Sequence, residues 1–220
     1  STRKKETLNE YFHEIRQGKP MILLGTQLLA KGHHFPNVTL VGIVDADSGL
    51  FSADFRGSER VAQLMTQVSG RAGRDKKQGR VILQSYCTDH PQIEEIISGS
   101  YERFAQKLLE ERKISNIPPF SFQAKIFAES PKSLVSRDFI LNLLNRSRID
   151  EKTRKNVRLV GPLPSIMEKK SGVYRWELSI FSKSRSNLHK FLDVMQSRLY
   201  DPKLSKQVRW SIDVDPLSSL

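Results

Sequence analysis

The chain has 220 residues, 38% of them hydrophobic and 27% charged, with 12 Gly and 10 Pro, a globular composition that excludes a collagenous, low-complexity or wholly disordered polypeptide. A single cysteine, Cys87, allows neither an intramolecular disulfide nor a cysteine-based zinc site, and no apolar run approaches the roughly 18 residues that span a bilayer. The net charge of +12 is unevenly spread: residues 1–115 carry 17 basic against 14 acidic side chains, and residues 116–220 carry 19 against 10. These features predict a cytoplasmic protein with no membrane partner and a basic second half. That half suits a polyanion, because each Lys or Arg set on a phosphate releases condensed counterions. A soluble surface that happens to be basic is the plainer alternative.

Leu8, Tyr11, Phe12 and Ile15 recur at helical spacing, so 4–18 is predicted as an amphipathic helix closed by Gly18 and Pro20. Two apolar runs follow, 21–25 ending in Gly25 and 38–45 ending in Asp45, and both are expected as buried parallel strands. Val61, Leu64, Met65 and Val68 place a helix over 58–69; 80–84 offers a further strand and 93–114 further helix. This alternation is the pattern of an α/β domain.

The texture changes at Asn116-Ile117-Pro118-Pro119, where consecutive prolines stop a helix and force an extended connection, so two domains are expected, 1–116 and 117–220. In the second, Phe122, Ala124, Ile126 and Ala128 alternate as a strand, 134–144 reads as helix, and 157–160 as a short strand before Gly161-Pro162. A hairpin is expected around Gly172, then a strand in which Tyr174, Trp176, Leu178 and Ile180 alternate with polar residues. A helix through Leu188, Phe191, Leu192 and Met195 and a strand through Val208, Trp210, Ile212 and Val214 complete a small α+β domain.

The stretch Gln67-Val68-Ser69-Gly70-Arg71-Ala72-Gly73-Arg74 is the most informative. Two arginines three apart share a face of a helical turn, and the glycines allow close approach of another surface. Arginine's rigid fork of donors suits a phosphate and the charge that develops on a transferred phosphoryl group. A solvated basic helix end is the other account of the same spacing.

Upstream runs Gly25-Thr26-Gln27-Leu28-Leu29-Ala30-Lys31-Gly32-His33-His34-Phe35-Pro36, then the strand ending at Asp45. This order resembles motif V of superfamily-two helicases, as Gln-x-x-Gly-Arg-x-Gly-Arg resembles motif VI. With Asp45-Ala46-Asp47, the Phe-Ser-Ala-Asp-Phe-Arg run at 51–56 and the terminal Asp213-Val214-Asp215-Pro216, the chain resembles the primosomal replication-restart DNA helicase family over nearly its whole length.

The resemblance implies part of a second RecA-like lobe followed by a basic α+β domain, belonging to an ATP-dependent 3′–5′ DNA helicase that restarts stalled forks by primosome assembly. It implies catalytic roles for Gln67, Arg71 and Arg74, and nucleotide-side positions for Gly25, Thr26, Gly32 and Asp45. ATP and magnesium would be bound mainly through an absent first lobe, since the sequence has neither a Gly-x-x-x-x-Gly-Lys-Ser/Thr loop nor an Asp-Glu-x-His box. The fragment alone is therefore expected to be inactive, and the family's zinc lies outside this segment.

Adjacent His33 and His34 cannot share a helical face, so they read with Lys31 as a turn making DNA or interdomain contacts; no metal is predicted. Lys169, Lys170 and Arg175 interleave with aromatic residues as single-strand and fork-binding surfaces do, whereas Trp176 shares the phase of Leu178 and Ile180 and is expected in the core, a base-stacking platform being the other reading. Lys183 and Arg185 are implied by the family to dock the acidic tail of single-stranded DNA-binding protein. Forked and single-stranded DNA and other primosome proteins complete the implied partners. A non-catalytic basic DNA-binding or protein-docking module is the rival account.

Overall fold

The computed structural model describes residues 14, 20–25, 38–69, 79–98, 100–146, 149–199 and 207–217. The chain divides into two units, 1–108 and 109–220.

In the first unit β1 (Leu40–Ile43) pairs in parallel with β2 (Arg80–Leu83), in register from Leu40↔Arg80 to Ile43↔Leu83. The ladder runs past both strands, with Gln84 N–H on the Ile43 carbonyl at 2.9 Å and Ala46 N–H on the Gln84 carbonyl at 3.1 Å. Then come a one-turn helix α1 (Asp47–Leu50), α2 (Gly57–Ser69), α3 (Pro91–Ile97) and α4 (Tyr101–Ser115), whose residues from Leu109 onward are counted with the second unit. Ala46, Leu50, Val61, Ala62, Ile93, Ile96, Phe104 and Leu108 form the core. A Cβ on Gly57 would stand 2.1 Å from the Gly49 carbonyl oxygen, so only glycine lets α1 and α2 meet this closely.

Two expectations for this unit are corrected. Residues 21–25 form no strand, and Ile22 and Leu24 are 90% and 89% exposed. An apolar run is buried as a parallel strand only when neighbours flank it and helices cover it. Among the described residues this sheet has two strands, with Val44 and Ile82 themselves exposed. The expected helix over 93–114 is two helices, because α3 ends at Ile97 and α4 begins at Tyr101, across Ser98-Gly99-Ser100. Serine and glycine favour caps and turns over a helix interior. Residues 4–13, 15–18 and 70–78 lie outside the described residues.

In the second unit β3 (Phe122–Ser130), β4 (Arg158–Lys170), β5 (Val173–Ser182) and β6 (Arg209–Val214) form an antiparallel sheet in the order β4-β5-β3-β6. Helices α5 (Ser133–Arg146) and α7 (Arg185–Leu199) pack on one face, and a short α6 (Glu151–Lys155) precedes β4. The alternating residues predicted from sequence build this core: Ala124, Ile126 and Ala128 from β3 and Leu178 and Ile180 from β5 meet Phe139, Ile140, Leu143, Leu188, Phe191 and Met195. Each fully buried Leu, Ile or Phe contributes about 1.5–3 kcal/mol relative to exposure.

Sequence periodicity does not reveal that β3 is buried on its other face as well, through Gln123, Lys125 and Phe127. There Lys125 pairs with Glu177 at 2.7 Å and Arg175 with Glu129 at 2.8 Å. Both cations lie about the Phe127 ring, 6.0 and 5.8 Å from its centroid. Strand β4 is longer than expected, running through Pro162 and Pro164 with two register shifts. As the sheet's edge it can hold prolines, whose missing N–H costs no ladder bond there.

Candidate nucleic-acid interface

At the C-terminal end of β1, where open α/β sheets place their ligands, Asp45 is exposed and adopts φ 53°, a left-handed conformation that aspartate tolerates. Its Oδ1 accepts from the Ser48 N–H at 3.3 Å. Asp47, two residues on, has a structural task. The Ser85 hydroxyl at 2.6 Å and the Tyr86 N–H at 2.7 Å donate to its two oxygens and tie α1 to the segment after β2. These bonds, the Ser85 hydroxyl foremost, hold its carboxyl below the usual carboxylate range. Their stabilisation is present at neutral pH and is lost as pH falls through that lowered value.

Gln67 is exposed near the C-terminal end of α2, and Gly25 is exposed at the end of the 20–25 segment. Arg71, Arg74, Thr26, Lys31, Gly32 and His33 lie outside the described residues.

The second unit presents its basic residues in four different settings. Lys169 and Lys170 end β4 and are exposed beside a two-residue hairpin turn at Ser171 and Gly172, with φ 50° and 84°. Positive φ at both central residues is the turn whose twist matches paired strands. The Lys169 ammonium sits 4.7 Å from the Tyr174 ring centroid, and Lys170 has no ionic partner among the described residues. Arg175 is corrected: expected as a solvated contact, its side chain is 15% exposed and committed to Glu129. It points to the same face as Lys125 and Phe127 because it stands opposite Glu129 in the ladder. Trp176 takes the core position expected of it, its Nε1–H donating to the Ser133 hydroxyl at 2.9 Å.

Lys183 and Arg185, grouped together from sequence, have different surroundings. Arg185 pairs with Asp215 at 3.0 Å and lies 4.6 Å from the Phe122 ring centroid, half-exposed on both sides of the pair. Lys183 instead lines a cavity of about 460 Å³ with Lys155 and Arg158. Sequence reading missed those two residues because Lys155 ends α6 and Arg158 opens β4, and they meet Lys183 only when β4 pairs with β5.

The family described as primosomal protein N C-terminal domain matches residues 113–217, and the helicase conserved C-terminal domain matches residues 1–76. The replication restart protein PriA of Haemophilus influenzae is 44% identical over 217 residues, which are 98% of this chain and 29% of that protein. The chain belongs to the PriA family. PriA of Rickettsia conorii is 38% identical over 97% of the chain and 32% of its own length, and PriA of Bacillus subtilis 34% identical over 98% and 27%. The chain thus spans about a third or less of the length of these PriA relatives. A designed protein, Foldit4, covers 44% of the chain at 11% identity with a TM-score of 0.33, too distant to bear on the fold. The matches support the α/β helicase-type lobe followed by an α+β domain that the PriA resemblance implied.

Proposed function

We propose that the chain is the C-terminal part of an ATP-dependent superfamily-two DNA helicase, of 3′–5′ polarity, that binds stalled or branched replication forks and restarts replication by primosome assembly. The basic module is taken to begin at residue 117 and to hold the DNA backbone. The observation that carries this reading is the joining, in one chain of a replication-restart family, of ordered helicase-type motifs to a unit whose hairpin projects Lys169 and Lys170 into solvent.

ATP, with magnesium, would supply the free energy for unwinding. The residues here that fit its neighbourhood are Asp45, exposed at a parallel strand's C-terminal end, and Gln67, exposed on the helix that leads into Arg71 and Arg74. The sequence has no phosphate-cradling loop, so the chain alone hydrolyses no ATP. Among the described residues no group of three or more His, Cys, Asp or Glu could hold a metal ion. Arg185, whose guanidinium pairs with the Asp215 carboxylate at 3.0 Å, is the residue proposed to receive the acidic tail of single-stranded DNA-binding protein.

Lys169→Glu/Lys170→Glu tests the hairpin. Fluorescence anisotropy of forked DNA over a salt series should show roughly tenfold weaker binding at low salt. The log–log slope should flatten by about two units, close to one per lost phosphate contact. Circular dichroism should be unchanged, because both side chains are exposed. Wild-type affinity and slope in this variant would remove the hairpin from the interface.

A further inference from the structure

The cavity that contains Lys183 has no role in the reading above. Every residue lining it belongs to the second unit, and no Asp or Glu is among them. Its cations are Lys155, Arg158 and Lys183, and most of the remaining lining is hydroxyl and amide, such as Ser184 and Asn187. We propose that it is a phosphate-binding site for single-stranded DNA, taking one phosphodiester and its attached nucleotide. This rests on the reading of the chain as a DNA-binding protein.

Arg158 is held ready for such a ligand. Its Nη2 donates to the carbonyls of Ser115 and Asn116 at 3.2 and 3.3 Å, and its guanidinium carbon lies 4.6 Å from the Phe181 ring centroid. Both hydrogen bonds leave from one nitrogen, so the other two keep their donors for a phosphate. A guanidinium fixed on one edge loses little entropy on binding at the other. Lys183 has no ionic partner among the described residues. Lys155 has one, Glu151 at 2.6 Å, but both side chains are largely exposed and such surface pairs give way readily.

Volume and lining select the ligand. About 460 Å³ is the size of pocket that takes a small organic molecule, far more than a bare phosphate fills. Val157 and Phe181 are its only large apolar lining residues, and Phe181 is buried beneath Arg158. A sugar–phosphate unit needs charge and hydrogen-bond donors, which the three cations and the hydroxyl and amide side chains of the lining supply. Ser184 and Asn187, before and within the first turn of α7, can contribute to phosphate oxygens.

The test is fluorescence anisotropy of a labelled 15-nucleotide oligo-dT with the 220-residue chain, comparing Lys155→Glu/Lys183→Glu with Lys132→Glu/Lys190→Glu. The second pair is exposed, lies outside the cavity and changes charge equally. The cavity variant should bind at least tenfold more weakly and lose about 1.4 units of log–log salt slope, two contacts at roughly 0.7 each for a single strand. The control should stay within about twofold of wild type. Equal loss in both variants, or none in the cavity variant, would overturn the site while leaving DNA binding by the chain intact. Failure of the wild-type chain to bind any DNA would overturn both the site and the reading beneath it. Two further arms identify the source of the anion. Displacement of the oligonucleotide by dTMP as effectively as by unlabelled oligo-dT would make the ligand a free nucleotide and overturn the proposal. So would loss, in the cavity variant, of binding to a labelled acidic peptide with oligo-dT binding unchanged.

Discussion

Arg74→Ala, made in a full-length protein carrying this chain, should lower DNA-stimulated ATP hydrolysis by roughly 10³-fold or more, the scale of a lost arginine finger in phosphoryl transfer. The loss should fall on kcat and kcat/KM together with little change in KM, because the interaction is made only as charge develops on the transferred group. Arg74→Lys should recover little, since an ammonium cannot reproduce the two-pronged contact of a guanidinium. Arg71, three residues earlier in the chain, should show a loss of the same kind. Steady-state ATPase assays with and without DNA decide this, and a wild-type rate for Arg74→Ala would remove the arginines from the phosphoryl-transfer machinery.

The second large effect concerns stability. Lys125→Ala should cost about 3–5 kcal/mol, because it strands the Glu177 carboxylate with its side chain only 14% exposed, beside a strand buried on both faces. Glu177 Oε2 already has no hydrogen-bond partner, so the carboxylate has little to fall back on once the ammonium at 2.7 Å is gone. The double variant Lys125→Met/Glu177→Leu, which removes both charges, should recover most of the loss. Both tryptophans of the chain, Trp176 and Trp210, pack against the second unit's core, so urea unfolding followed by tryptophan fluorescence reports on that unit. A Lys125→Ala midpoint within error of wild type would show that the pair is solvated and dispensable.

How much of this was legible in the sequence depended on the distance over which each signal acts. Ala124-Ile126-Ala128 and Leu178-Ile180 announced their strands and their buried face because period-two alternation is local. The Ser171-Gly172 turn was equally local, since glycine at a positive φ needs no distant partner. Burial of Lys125 and Arg175 was not legible, because it comes from Glu177 and Glu129 on neighbouring strands, and ladder register is not written in either strand alone. The cavity was hidden for the same reason, since Lys155 and Arg158 meet Lys183 only across the β4–β5 ladder. For 21–25 composition misled: four apolar residues in a row describe a strand that needs covering, and the described sheet offers no cover. The helicase-type motifs were the strongest sequence signal, and the matches to the helicase C-terminal domain and to PriA relatives agree with them.

Whether this basic segment grips DNA through its phosphates, as proposed above, is decided by equilibrium binding of the unmodified 220-residue chain to forked DNA of several base sequences across a salt series. Affinity should fall steeply with salt, with a log–log slope of several units at roughly 0.9 per contacted phosphate, and slope and affinity should change little with base sequence. Binding that is absent at low salt, or that is insensitive to salt, would contradict it.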